Sequence, residues 1–82
     1  MINPQSEVYD DAATVTPSDT VNQGWTFDAI AVGGAGNVAV VFASGEAVTL
    51  TGLLAGTVYR VRGTRINSTN TTATSLVALR YR

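Results

Sequence analysis

The sequence predicts a small all-β protein: an antiparallel β-sandwich, jelly-roll-like or barrel-like, with an extended N-terminal arm. Three observations predict it. Runs of Val, Ile, Thr and aromatic residues alternate with Gly-, Ser- and Asn-containing breaks, at a spacing of roughly ten residues that marks a sandwich or barrel. No window carries the apolar period of an amphipathic helix. The connections are short, and a parallel crossover would need about a dozen residues, so neighbours should run antiparallel.

Residues 1–24 read as the arm and residues 25–82 as the sandwich. The arm holds both prolines, Pro4 and Pro17, and the acids Glu7, Asp10, Asp11 and Asp19. Each proline disfavours helix at itself and at the residue before it. One short strand is expected near Val15. The rest reads as chain that orders on a neighbouring subunit, or as a disordered tail. Removing residues 1–15 is therefore expected to leave the fold intact and to weaken assembly.

From Trp25 onward the pattern is strand and turn. Thr26 to Val32 is rich in strand formers, and Gly33 to Asn37 breaks it. Val38, Val40 and Phe42 share one face of the next strand. Ser44-Gly45-Glu46 is a tight turn. Val48 and Leu50 are expected inward, with Thr49 and Thr51 outward. Thr57 to Arg62 puts Tyr59 and Val61 on one face and Arg60 and Arg62 on the other, and continues toward Ile66. Ser68 to Thr71 is a polar turn. The last strand, Ala73 to Tyr81, is expected to turn Val77, Leu79 and Tyr81 inward, with Arg80 and Arg82 outward.

The chain has 82 residues, 45% hydrophobic and 13% charged. A domain this small hides only about 60% of its unfolded surface, and such chains often gain stability from disulfides, metals or association. There is no Cys and no His, which removes disulfides and the usual transition-metal sites. Association is left. A typical domain is about 25% charged, so so few charges fit a surface largely covered by neighbours.

Chemistry-bearing patterns are few. Val32 to Ala39 resembles part of a dinucleotide-binding loop, but the residues after Gly36 are β-branched and aromatic where a helix should open. The glycines read instead as a hairpin turn. Asp10-Asp11 are adjacent carboxylates in the arm, without the rigid positioning that acid–base catalysis needs or the spacing of an EF-hand. No catalytic, cofactor or metal residue is assigned, and an enzyme is not expected. Asn67-Ser68-Thr69 and Asn70-Thr71-Thr72 match the glycosylation pattern only by chance in a Thr-rich loop. No targeting signal is visible at the N-terminus. Val38 to Ala43, the longest apolar run, is too short to span a bilayer.

Charge is divided along the chain. All six acids lie in residues 1–46, and all five bases, every one an arginine, lie after them. The acids offset the field that nucleic-acid binding would need. An acidic part of one copy meeting a basic part of another is the favoured use, because the planar guanidinium suits interface pairing with carboxylates. The candidate interface residues are Arg60, Arg62, Arg65, Arg80, Arg82, Asp10 and Asp11.

Four fragments occur in order: Val32 to Val40, Leu53 to Val58, Arg60-Val61-Arg62, and Thr71 to Leu79. Together they resemble a family of small phage-like virion proteins, the head spike base proteins, including those of gene transfer agent particles of alphaproteobacteria. The resemblance covers about residues 16–81, and Thr71-Thr72-Ala73-Thr74 followed by Val77-Ala78-Leu79 carries most of it. It implies a β-sandwich subunit that forms a ring, with five copies as the candidate number, on the outside of the head at capsid vertices. It also implies the major capsid protein and a spike fibre protein as partners, and neither nucleic acid nor membrane. Two departures stand out. The family has a Gly in the turn occupied here by Asn67 to Asn70, and it ends nearer Leu79. The alternative reading is a binding module for cell-surface carbohydrate, with Trp25, Tyr59 and Tyr81 as candidate contacts.

Overall fold

The computed structural model describes residues 9–80. Its strands are β1 (Asp11–Thr14), β2 (Ala29–Val32), β3 (Gly36–Phe42), β4 (Ala47–Leu53), β5 (Thr57–Tyr59), β6 (Gly63–Asn67) and β7 (Val77–Arg80). They form two sheets, a four-stranded one in the order β1-β7-β2-β5 and a three-stranded one in the order β4-β3-β6. Every ladder is antiparallel. The all-β sandwich expected from the sequence is the fold observed.

Both sheets supply the core. Phe27, Ile30 and Val32 enter from the β2 side, Val38 and Val40 from β3, and all five are fully buried. Each such side chain stabilises the fold by about 1.5–3 kcal/mol relative to leaving it in water. Trp25, Phe42, Leu50, Tyr59 and Val61 pack around this centre. Gly63 is buried because Phe27 lies on it: an added Cβ would sit 2.7 Å from the ring and 2.8 Å from the Val41 carbonyl oxygen.

Connectivity departs from a simple meander. Of the consecutive strands, β3 and β4 form a hairpin, closed by the Phe42 N–H donating to Glu46 O at 2.8 Å and by Gly45 at positive φ. The other connections cross between sheets or skip a strand. The glycine run after β2 is one of these crossings, not the hairpin turn expected. Gly33 and Gly34 lie against Ser75 and Thr74 (the Gly34 and Thr74 main chains bond each other), and an added Cβ at Gly33 would fall 2.6 Å from Ser75 Cβ. The glycines are required by close approach of two backbones rather than by turn geometry.

Other inward and outward assignments also change. In β7 the buried residue is Ala78, in phase with buried Leu76 just before the strand, with Val77 and Leu79 half-buried on the other face. Both phases of this strand are apolar, so alternation could not decide between them. Arg80 therefore shares the core-facing side with Ala78. Val48 pairs with buried Val40 yet is 43% exposed, because β4 is an edge strand and the opposite sheet does not cover it there. The strand read as continuous from Thr57 toward Ile66 breaks after Tyr59, and the chain passes to the other sheet before β6.

The strand expected near Val15 is β1, and its partner lies in the same chain. Asp11 to Thr14 pair with Arg80 to Val77, and Val15, 7% exposed, belongs to the core. Residues 18–23 then run along the outer edge of β6, where the Ser18 and Gln23 N–H groups donate to Ile66 O and Thr64 O.

Candidate functional site

No constellation of catalytic or metal-binding type occurs among the described residues. No three His, Cys, Asp or Glu residues gather, and no concavity encloses a small molecule. The charged side chains and the sheet edges lie on the surface.

The charged residues singled out from the sequence separate into distinct roles. Arg80 and Asp11 are cross-strand partners, joined at 3.0 Å, and the Arg80 guanidinium lies 4.5 Å over the Trp25 ring. This trio closes one end of the core. Arg62 pairs with Asp28 at 3.0 Å. Arg65 donates to Asn67 Oδ1 at 2.8 Å and to Asn22 Oδ1 at 3.4 Å, tying β6 to the segment that borders it. Asp10 and Arg60 are exposed, just before β1 and just after β5. Arg82 and Tyr81 lie outside the described residues. The aromatic candidates for carbohydrate are engaged within the fold: Arg80 covers Trp25, and half-buried Tyr59 accepts the Leu54 N–H through its hydroxyl at 2.8 Å.

The threonine stretch has a role that the sequence reading missed. Thr71 and Thr72 hydroxyls accept the Ala39 and Asn37 N–H groups, each at 2.9 Å. Thr72 and Ala73 N–H groups return bonds to Asn37 O, and Thr74 exchanges bonds with Gly34. Asn37 Oδ1 also accepts the Gly52 N–H at 3.0 Å. The segment between β6 and β7 thus stitches the start of β3 to the glycine crossing. The hydroxyl spacing was visible as Thr-Thr-Ala-Thr, but its main-chain donors lie 32 and 35 residues away in sequence.

Asp19 makes a further tie. Its carboxylate accepts from the Thr69 hydroxyl at 2.6 Å and the Thr69 N–H at 3.0 Å. The Thr69 hydroxyl, then its N–H, hold this carboxyl below the usual carboxylate range, with Ser68 adding to the effect.

The edges form two flanks. The short turn between β4 and β5 puts their open edges on one flank, together with exposed Val48, Leu54 and Val58. The opposite flank carries β1, then residues 18–23 on β6, with exposed Val21, Asp10 and Asp19. One flank is apolar with Arg60, and the other exposes Asp10 and Asp19, with Arg65 beside them on β6.

The arrangement defines a class: a compact sandwich whose features are edges and charged flanks rather than a cleft. Comparison with solved structures gives the particular likeness. The chain superposes, with a TM-score of 0.79 and 25% identity, on a chain from the capsid of a native GTA particle computed with C5 symmetry, covering 95% of this chain and 99% of that one. No family of known proteins and no curated protein matches the sequence.

Proposed function

We propose that this chain is a structural protein of a gene transfer agent or phage-like head, a homo-oligomeric base at the capsid vertex that anchors a head spike or fibre. One observation carries the reading: nearly the whole chain shares its fold with a chain from the capsid of a native GTA particle computed with C5 symmetry, over nearly that chain's whole length. A second sheet edge on each flank and a surface of few charges are consistent with a protein finished by neighbours. Its partners in this reading are further copies of itself, the major capsid protein below and the spike fibre protein above, on the outside of the head. No substrate is turned over.

Sedimentation of the full chain tests the first part. A discrete ring-sized oligomer is expected, and a strict monomer at about 100 µM, where even a weak specific contact populates its complex, would argue decisively against a homo-oligomeric base. Imaging of native particles tests the second part: antibody-bound gold against this chain should decorate vertices, and decoration spread over capsid faces would remove the vertex role.

A further inference from the structure

The proposed oligomer leaves open which surfaces join, and main-chain geometry narrows the choice. A head-to-tail ring needs two different, complementary patches on each copy. A sheet can continue from copy to copy only if both of its outer edges are open. The three-stranded sheet fails this condition. Its β4 edge is open, but its β6 edge is occupied by residues 18–23 through Ser18 and Gln23. Among the described residues the four-stranded sheet satisfies it, with β1 and β5 as its outermost strands.

We infer that copies join head to tail by continuing the four-stranded sheet, the outer edge of β5 in one copy pairing antiparallel with the outer edge of β1 in the next. The inference rests on the homo-oligomer reading above.

Direction, hydrogen-bond phase and charge agree. β1 and β2 run one way, β7 and β5 the other. A neighbour in the same orientation therefore brings its β1 antiparallel to β5. Val15 N–H donates to Leu76 O across the β1–β7 ladder. Bonding alternates along an antiparallel strand, so Ala12 and Thr14 direct their main-chain groups to the open edge. Gly33 N–H donates to Ser75 O. Ala31 and Ala29 consequently bond β7, Ile30 and Val32 bond Tyr59 and Thr57, and Val58 faces outward.

The rows of the sheet then align. Ala13, Ala78, Ile30 and Tyr59 form one row, and Thr14, Val77, Ala31 and Val58 the next. Continued without slip, Val58 meets the next copy's Thr14, both outward-bonding and both exposed on the solvent face. Ala12 N–H is already met by Asp11 Oδ1 at 3.0 Å, so the Thr14–Val58 pair carries the ladder. Because β5 is short, side chains must add to it. Exposed Leu54 and Val58 face a flank with exposed Val21. Exposed Arg60 follows β5 and exposed Asp10 precedes β1, so the seam brings one copy's Arg60 and the next copy's Asp10 to the same end of the paired strands.

The chain contains no cysteine, which makes a direct test possible. In full-length protein under mild oxidant, Thr14→Cys with Val58→Cys should give a reductant-sensitive ladder of covalent multimers on a denaturing gel. Each single variant alone should give none, and a mixture of the two should give dimers. Dimers from either single variant would mean symmetric pairing and overturn the inference. So would an oligomeric double variant that fails to cross-link. Val58→Pro removes an outward N–H without touching the internal ladder, and should weaken association at least about tenfold, as expected for loss of the main-chain seam. Thr49→Pro on the open β4 edge should leave association unchanged, and the reverse result would move the seam to β4. Asp10→Arg and Arg60→Asp should each weaken association by about fivefold and restore it when combined. An oligomer indifferent to all these changes overturns the seam alone, whereas a monomeric wild type overturns the oligomer reading with it.

Discussion

Individual residues show how much of this small fold rests on polar groups that meet across the sequence. Thr71 illustrates it. Its hydroxyl accepts the N–H of Ala39, which is 6% exposed. Thr71→Val keeps the shape and deletes the acceptor, so it should lower unfolding free energy by about 1–2 kcal/mol, the cost of an unsatisfied buried donor, as read from urea denaturation. Asp19 gives a pH signature. Its folded-state pKa is lowered by the Thr69 bonds, so its contribution is present above the ordinary carboxylate range and lost as pH falls through the lowered value. Asp19→Asn should be less stable than wild type near neutrality, with the difference vanishing in strong acid; a gap that persists there would show that the carboxylate charge is not the cause. Asn70 stands at φ 71°, a conformation that Asn tolerates better than most residues.

At the scale of elements, β1 changes the expectation for the N-terminal segment. Deletion of residues 1–15 removes Val15 from the core and Asp11 from Arg80. We therefore expect a loss of at least about 2 kcal/mol, most of it from one buried valine and an exposed strand edge, in place of an intact fold. Thermal melting of the truncated chain checks this, and an unchanged midpoint would show that β1 is dispensable. Gly63→Ala tests the contact between β6 and the core. The added methyl meets the Phe27 ring and the Val41 carbonyl, and overpacking of this kind costs about 1–3 kcal/mol.

Over the whole molecule, the two flanks differ in character: Arg60 and apolar side chains on one, Asp10 and Asp19 on the other. Head-to-tail contact between such flanks should weaken as salt rises, because exposed charges are screened beyond about 10 Å at 0.1 M. Sedimentation across a salt series measures this, and association that strengthens steadily with salt would assign the contact to apolar burial alone. The surface offers no enclosed site among the described residues.

The amino-acid pattern alone determined the all-β class, the β3–β4 hairpin and the absence of His and Cys chemistry, because strand alternation, turn residues and composition are local properties. It also pointed to the arginines and to Asp10 and Asp11, without showing that Asp11 and Arg80 pair within one copy. Tertiary structure decided what depends on distant partners. Sheet membership made the glycine run a crossing between layers, register chose the inner face of β7, and long-range pairing turned Asp11–Thr14 into a sheet edge. The edge positions of β1 and β5 among the described residues also emerged only there, since an edge is defined by what pairs beside it, and no local pattern records that.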